Sequence, residues 1–379
     1  MTNQDFIILG AGASGLMLAY RLSQDTFFDD KSILIIDKQD NKGNDRTWCY
    51  WEKDEGEWDN LIRKSWPNIL FGSKEFSKTV NLDDYNYKMI RSEKFYEFLW
   101  EKIKLKSNIS FVKDKVIEVE EHSNVVRVKT MDRSYSGAKV FNSIPDSDLY
   151  KVQDRYPVLQ QHFVGWFIKT ESYEFDDSVA TFMDFTVAQK GNTRFMYVLP
   201  IEKNIALFEY TLFSETLLPL NEYEESIKKY LENKGIKEYE IIEKEKGSIP
   251  MTSYKFSKLN SKNILNIGTA GGWTKASTGY TFKNTTKKTR SLVQYLKQND
   301  DLSKFHKSSK FWFYDVLFLD VLAKNNGEGS KLFASLFKKA KTKTILRFLD
   351  EETNILDDLK IISSVPPKNF TIALLRRIF

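Results

Sequence analysis

The sequence contains one cysteine, Cys49, and only three histidines, His122, His162 and His306. A single thiol cannot form a disulfide within the chain, and so few thiol and imidazole groups disfavour a thiolate or histidine-rich metal centre. We therefore predict no metal site and expect any redox chemistry to come from an organic cofactor.

Long apolar runs are also missing. No uninterrupted apolar stretch reaches the ~20 residues that cross a bilayer, and the mean hydropathy is −0.45. The first ten residues lack the basic leader of a secretory signal. We expect a soluble, cytoplasmic protein whose 379 residues form one large composite domain or two closely packed ones.

The positive charge is concentrated near the C-terminus. The whole chain carries +5, but residues 303–379 contain 14 Lys and Arg against eight Asp and Glu, which leaves the preceding part nearly neutral. A basic helical region of this kind could face anionic lipid or nucleic acid, or be a solvated helical surface. We expect no nucleic acid partner, because no nucleic-acid module and no aromatic-basic pattern is present.

The N-terminus has the pattern of a β-α-β unit. Residues 4–9 form an apolar run typical of a buried strand, GAGASG leads directly into the helical pattern LMLAYRLSQ, and SILIID at 32–37 is a second strand. This order predicts a Rossmann-like nucleotide-binding unit.

Gly10, Gly12 and Gly15 give the spacing G-x-G-x-x-G, and Asp37 follows 22 residues after Gly15. Gly10 permits a tight turn, Gly12 lets the backbone approach a pyrophosphate, and Gly15 allows close helix packing. The helix N-terminus, with Ser14 in its first turn, offers N–H donors to the phosphates. Asp37 would accept hydrogen bonds from the ribose hydroxyls. We therefore predict a dinucleotide-binding loop.

FAD is the predicted dinucleotide, because a second glycine-rich strand and loop occurs late, at residues 267–272. This split arrangement resembles the large flavoprotein fold of aromatic hydroxylases. In that fold the position after the first glycine of the late loop is usually Asp, whereas here it is Thr269. Arg91 resembles an arginine that reaches the cofactor in that fold, but it could also be a surface residue. The further residues predicted to bind the cofactor are Arg46, Gly268, Gly271, Gly272 and Gly279.

The middle of the chain predicts an antiparallel sheet inserted into the α/β frame. FVGWFIKTE, ATFMDFTVA, RFMYVLPIE and NIALFEYTLF are strand-like runs separated by turns. We predict helices at 92–106 and near 221–234, a polar loop at 40–60, a strand at 262–268, and a helical C-terminus interrupted at Val365-Pro366-Pro367.

The predicted fold class is therefore α/β: a Rossmann-like FAD-binding domain with an inserted antiparallel substrate domain and a helical C-terminus. The predicted boundaries are 1–155 with 256–302 for the cofactor domain, 156–255 for the substrate domain, and 303–379 for the helical region.

Glu209 lies in the apolar run NIALFEYTLF. Period-two alternation places Leu207, Glu209 and Thr211 on one face, so Glu209 has apolar neighbours whichever face is buried. Burial disfavours the charged carboxylate and suits a general acid. The alternative is an edge-strand glutamate that faces solvent or pairs with Arg194 or a lysine. Asp184 is a similar acid within a strand and has the same alternative.

Seven segments, in this order, resemble the bacterial type of lycopene cyclases, which are flavoprotein carotenoid cyclases. They are DRTWCYW (45–51), FVGWF (163–167), TFMDFTV (181–187), RFMYVLPI (194–201), ALFEYTLFS (206–214), GSIPM (247–251) and IGTAGGWTKASTGYTF (267–282). The resemblance covers most of residues 4–290 and continues more weakly into the helical tail.

The resemblance implies that the acyclic ψ ends of lycopene are closed to β-ionone rings, giving γ- and β-carotene, without net redox change. Glu209 falls on the essential acid and Asp184 on a Met-Asp position of the family, where it would orient the acid or return a proton. Reduced FAD would stabilise the cation, with NAD(P)H as its reductant. Because lycopene resides in the bilayer, the basic tail would contact the membrane peripherally, at its cytoplasmic face.

Aromatic side chains in the same strands and in the late loop could line a substrate tunnel, although strand aromatics are also common in plain cores. The predicted substrate-binding residues are Trp166, Phe195, Tyr197, Trp273 and Tyr280. Two other functions stay open on this fold: a flavin monooxygenase or isoprenoid reductase, and a non-catalytic flavoprotein that docks on membranes.

Overall fold

The computed structural model describes residues 3–306 and 308–378. They form three sheets, the helices that connect the strands, and a helical C-terminal region. The strands are β1 (Asn3–Leu9), β2 (Ile33–Asp37), β3 (Thr47–Lys53), β4 (Ile62–Trp66), β5 (Asn68–Gly72), β6 (Ser77–Asn81), β7 (Tyr85–Arg91), β8 (Ile109–Lys113), β9 (Val116–His122), β10 (Val125–Thr130), β11 (Ser134–Asn142), β12 (Leu159–Lys169), β13 (Val179–Asp184), β14 (Thr193–Glu202), β15 (Ile205–Ser214), β16 (Glu240–Met251) and β17 (Ile264–Asn266). The α-helices are α1 (Ala13–Ser23), α2 (Ser92–Ile103), α3 (Asp148–Lys151), α4 (Leu220–Asn233), α5 (Phe282–Leu296), α6 (Lys310–Lys324), α7 (Gly329–Lys339), α8 (Thr342–Leu349), α9 (Ile355–Ser364) and α10 (Pro367–Ile378).

The first sheet confirms the predicted β-α-β unit. Its order is β8-β2-β1-β11-β10-β9, with β17 beside β11. The strands β8, β2, β1, β11 and β17 pair in parallel, and β9 and β10 add an antiparallel edge. Both faces of β1 and β2 are apolar, since helices cover one face and the β9–β10 edge folds over the other. This sheet presents the glycine loop at the carboxyl end of β1.

A three-stranded sheet in the order β3-β7-β4 links the two larger sheets. The prediction of a polar loop throughout 40–60 is therefore wrong for the residues of β3. Tyr50 and Trp51 are buried there although polar residues surround them in the sequence. Antiparallel pairing with β7 supplies the backbone hydrogen bonds of β3, which local composition does not reveal.

The second sheet has the order β16-β12-β15-β14-β13-β5-β6 and contains all four predicted strand runs. Its pairs are antiparallel except for β13 with β5. β16 extends over twelve residues, whereas only GSIPM at its end was noted in the sequence. Because β5 and β6 belong to this sheet, residues 68–81 also pack with the strands of the predicted substrate domain. The predicted domain boundaries remain a prediction.

The helical tail begins with α6, and the predicted break separates α9 from α10, where Pro367 opens the new helix. Lys275 of the late loop lies buried between Asp315 of α6, at 2.9 Å, and Glu351, at 3.1 Å. This ion pair ties the loop to the tail. Among the described helices, none has the length and apolarity to cross a membrane.

Candidate active site

A cavity of about 1000 Å³ extends from the glycine loop after β1 to the face of the second sheet that carries Glu209. Gly10, Gly12 and Asp37 line one end of it. Tyr197, Leu199, Leu207, Glu209, Glu245 and Tyr280 line the other. A single cavity therefore joins the predicted cofactor loop and the predicted acid.

The glycine loop makes a tight turn and leaves open space in front of α1. Gly10 has φ +93° and its N–H donates to the Ile36 carbonyl at 2.8 Å. A Cβ on Gly15 would lie 1.9 Å from the Gly10 carbonyl oxygen, so only glycine permits this helix packing. A Cβ on Gly12 would meet no atom within 4 Å. The space before the helix N-terminus can thus receive an anionic group.

Asp37 ends β2 beside this loop. Its carboxylate accepts hydrogen bonds from the Ala11 N–H at 2.6 Å and the Gln39 N–H at 2.8 Å, and Lys42 Nζ lies 3.1 Å away. Arg46 lines the same end of the cavity, and its Nη1 donates to the Asp45 carbonyl at 2.6 Å. Both residues therefore lie where a nucleotide would extend from the loop.

The late loop approaches the same helix terminus. Gly268 has φ +60°, and a Cβ there would lie 2.1 Å from the Oγ of Ser14. Gly271 packs against the Asn266 carbonyl, where a Cβ would be 2.0 Å from the oxygen, and Gly272 has φ +64°. The late loop, taken with the segment that follows it up to α5, lines the cavity through Thr269, Thr278, Gly279, Tyr280 and Thr281. The close approach depends on glycine, because a side chain would push the two segments apart.

Glu209 is not on an edge strand, because β15 lies between β12 and β14. Arg194, its possible partner in the sequence, instead donates to Glu222 at 2.8 Å. The carboxyl group of Glu209 lies deep in the protein, and its exposed surface faces the cavity. Burial, followed by repulsion from Glu245, raises the pKa of Glu209 well above its ordinary value, although the Thr211 hydroxyl donates to it at 3.0 Å. Burial therefore favours the protonated, neutral form of Glu209.

Glu245 of β16 is a second buried acid, and the sequence reasoning missed it. Burial raises its pKa, but a hydrogen bond from the Thr47 hydroxyl at 2.6 Å and the charge of Arg91 oppose that rise. The segment EIIEKEKG looks solvent-exposed because its residues 243–246 are all charged. Its alternation nevertheless puts Glu243 and Glu245 on one face, and this is the signal that could have revealed the acid.

Asp184 does not line the cavity, which corrects its predicted place beside Glu209. It accepts hydrogen bonds from the Tyr230 hydroxyl of α4 at 2.6 Å and from the Thr186 N–H at 2.9 Å. Tyr230 packs in the cluster on the far side of the second sheet from Glu209. Asp184 therefore holds α4 against the sheet.

Four other predicted side chains also lie away from the cavity, and Gly15, Gly268, Gly271 and Gly272 shape the backbone near it without lining it. Arg91 forms an ion pair with Glu243, and its guanidinium lies 4.3 Å from the centre of the Phe167 ring. Trp166 directly follows Gly165, and successive residues of a strand face opposite sides of the sheet, so Trp166 packs on the side that α4 covers. Phe195 and Trp273 are buried in core clusters. Of the five predicted aromatic residues, Tyr197 and Tyr280 line the cavity.

The model of the family described as lycopene cyclase protein matches residues 5–376. The chain belongs to the lycopene cyclase family. The resemblance seen in the seven sequence segments is thereby confirmed, and it extends through the helical tail.

Two curated relatives are similar to this chain in sequence. The chain is 25% identical over 263 residues to lycopene beta-cyclase of Pseudescherichia vulneris, a match that covers 66% of this chain and 62% of the relative. It is 24% identical over 297 residues to the chloroplastic neoxanthin synthase of Solanum tuberosum, covering 73% and 57%. The chain thus spans less than two thirds of the length of these relatives.

The fold resembles that of solved flavoproteins. The crystal structure of a flavoprotein/dehydrogenase from Cytophaga hutchinsonii matches with a TM-score of 0.61 at 11% identity, covering 100% of this chain and 99% of the other. The predicted fold class of this lycopene cyclase family member is therefore confirmed.

A Glu209→Gln variant should change how stability depends on pH. In the folded protein, burial raises the pKa of the Glu209 carboxyl well above its ordinary value. In the unfolded chain the same carboxyl has an ordinary pKa of about 4.3. Wild-type protein therefore loses stability relative to the variant as pH rises from about 4, by up to ~1.4 kcal/mol per pH unit until the folded-state pKa is reached. Urea unfolding should show a more stable variant at pH 7 and no such advantage near pH 4.

The matched control is Glu202→Gln, which removes an exposed carboxylate paired with Arg63 at 2.9 Å. Its stability difference should stay within about 1 kcal/mol across this range. A Glu209→Gln difference that is constant with pH would contradict a neutral buried acid.

Proposed function

We propose that this protein is a flavin-dependent lycopene cyclase that closes the acyclic ψ ends of lycopene to β-ionone rings, giving γ- and β-carotene. The observation that carries the proposal is the position of the Glu209 carboxyl in the cavity that begins at the glycine loop. Membership of the lycopene cyclase family supports the carotenoid substrate.

Glu209 acts as the general acid. Its proton passes to a terminal alkene carbon of the ψ end, the ring carbon–carbon bond forms at the resulting cation, and a ring proton is lost. Protons and electrons therefore balance without a net oxidant or reductant. Leu199 and Leu207 keep water from the cation, and the rings of Tyr197 and Tyr280 present π faces that can stabilise it.

Residues at the other end of the cavity fit FAD. Gly12 leaves room for a pyrophosphate at the N-terminus of α1, and Asp37 lies where a ribose would follow. Thr269 and Gly279 line the path from there toward Glu209. Bound FAD in its reduced form supplies negative charge that stabilises a cation, and NAD(P)H is the proposed reductant that keeps it reduced.

Glu209→Gln should abolish ring closure, because the amide has no acidic proton to transfer. We expect a loss of at least about 100-fold, the contribution of a general acid. The assay uses lycopene micelles and chemically reduced FAD without oxygen, followed by pigment analysis.

The matched control Glu202→Gln should cyclise normally. A Glu209→Gln protein that binds FAD and cyclises at the wild-type rate would exclude the acid role. For the wild type, stoichiometric use of reductant or oxygen incorporation would favour an isoprenoid reductase or monooxygenase, and an unchanged pigment would favour a non-catalytic flavoprotein.

Gly12→Val should fold but bind FAD weakly, since the added side chain fills the space left for phosphate. Losing even one hydrogen bond to a charged group costs about 1.5–3 kcal/mol, or roughly tenfold or more in affinity. Fluorescence titration of the apoprotein with FAD measures the effect. Gly235→Asn is the control, because Gly235 also has open space around it but lies at the end of α4, and it should keep wild-type affinity. Equal affinities for both variants would contradict the assignment.

We also propose that the protein contacts the cytoplasmic face of the membrane peripherally through α9. Leu356 is 69% exposed and Leu359 is 56% exposed on this helix. Exposed apolar side chains near basic ones are typical of helices that lie on anionic lipid. Lys360 of α9 pairs with Asp357, and the exposed basic residues nearby are Lys368 and Arg376 of α10. A substrate dissolved in the bilayer could then enter the protein directly from the membrane.

A double variant Leu356→Glu with Leu359→Glu should lose most of its cosedimentation with anionic liposomes, because carboxylates replace the apolar contact. It should still cyclise lycopene in micelles. The control is Leu105→Glu, which changes an equally exposed leucine after α2. Equal liposome binding by both variants would exclude α9 as the contact.

A further inference from the structure

Glu209 and Glu245 lie on the same face of the second sheet with one strand between them. In β12, Gly165 pairs with Glu209 of β15 on one side and with Glu245 of β16 on the other. Two strands that flank a third are about 10 Å apart. Side chains can bridge that span only if the residue between them leaves the space free.

Gly165 leaves this space because it has no side chain. A Cβ at this position would lie 3.1 Å from Cγ and 3.4 Å from Oε1 of Glu245, and 2.8 Å from Leu207 Cδ1. The side chain of Glu245 therefore lies over Gly165 and extends toward β15.

The rest of the environment holds Glu245 in this orientation. The Thr47 hydroxyl donates to Oε2 of Glu245 at 2.6 Å, and Arg91 Nη1 donates to Thr47 at 3.2 Å and lies 4.0 Å from the same Oε2. On the other side, Thr211 donates to Oε1 of Glu209. One oxygen of each carboxyl group thus has a donor, and the other two oxygens remain for contact between the acids.

Charged partners around the two acids are few. Burial raises the pKa of Cys49, Tyr87, Tyr197 and Tyr280, which pack against the pair from β3, β7, β14 and the late loop, so these groups are neutral. Among the described residues, the charged groups that act on the pair are Arg91, which lies near Glu245, and Glu243, which forms an ion pair with Arg91.

We propose that Glu245 is a positioning residue for the acid: its carboxylate accepts a hydrogen bond from the protonated carboxyl of Glu209 across Gly165 and keeps that proton aimed into the cavity. The donors around Glu245 favour its negative form, and that charge makes ionisation of Glu209 harder. The sequence of charges is therefore Arg91 positive, Glu245 negative and Glu209 neutral. The proposal rests on the acid role of Glu209 under the proposed function.

The test compares Glu245→Gln with the control Glu202→Gln, which removes an exposed carboxylate of the same sheet that is paired with Arg63. Infrared spectroscopy follows the C=O band of protonated carboxyl groups as pH rises, and its loss in Glu209→Gln identifies the Glu209 band. Without the negative neighbour, Glu209 should ionise at least about one pH unit lower in Glu245→Gln. In Glu202→Gln the titration should be unchanged.

Enzyme activity gives a second measurement. The alkaline limb of the cyclisation rate should move to lower pH in Glu245→Gln by the same amount, whereas a purely structural role would lower the rate equally at every pH. Gly165→Ala should shift the infrared titration in the same direction, because its Cβ displaces Glu245.

A Glu209 band that titrates identically in wild type and Glu245→Gln would overturn the proposal, as would a uniform loss of activity without a shift. The infrared titration needs no turnover, so it remains decisive if lycopene is not the substrate. The wild type could fail to cyclise lycopene while the Glu209 band still shifts in Glu245→Gln. That result would support the carboxyl pair and refute only the proposed function.

Discussion

A carboxyl group removed from bulk water is the constraint on which this molecule depends. Glu209 has a central position in its sheet, with Thr211 as a hydrogen-bond donor and Glu245 as a second acid nearby. Ionising this carboxyl would carry a large desolvation cost, and burial therefore favours its protonated form. The apolar Leu207 and the aromatic Tyr197, which line the cavity at the same end, are compatible with a neutral acid.

The same cavity requires close approach of backbone segments that belong to distant parts of the sequence. Gly15 lets α1 pack against the turn after β1, and Gly268 lets the late loop reach Ser14. Gly165 serves the second sheet in the same way by leaving room for Glu245. Each glycine is needed because a neighbouring group occupies the place of its Cβ, and together they shape the cavity from the helix terminus to the acid.

The helical tail is attached to this frame by buried charge. Lys275, in the late loop, is paired with Asp315 and Glu351, and removing one member of such a pair would leave an uncompensated charge inside the protein. Lys283 of α5 donates similarly to Asp350, after α8. The position of the late loop beside the cavity is therefore linked to that of the tail, which carries the exposed apolar face of α9.

Sequence alone determined the features that depend on neighbours along the chain: the β-α-β unit with Gly10 and Gly15, and the alternation that gives Glu209 apolar neighbours. These follow from local backbone geometry and strand periodicity. Tertiary structure decided which face of each strand meets the cavity, and so it excluded Asp184 and Trp166 and brought in Glu245. Period-two alternation separates two faces but does not say which partner covers each, because that choice is made by pairing with strands far away in the chain.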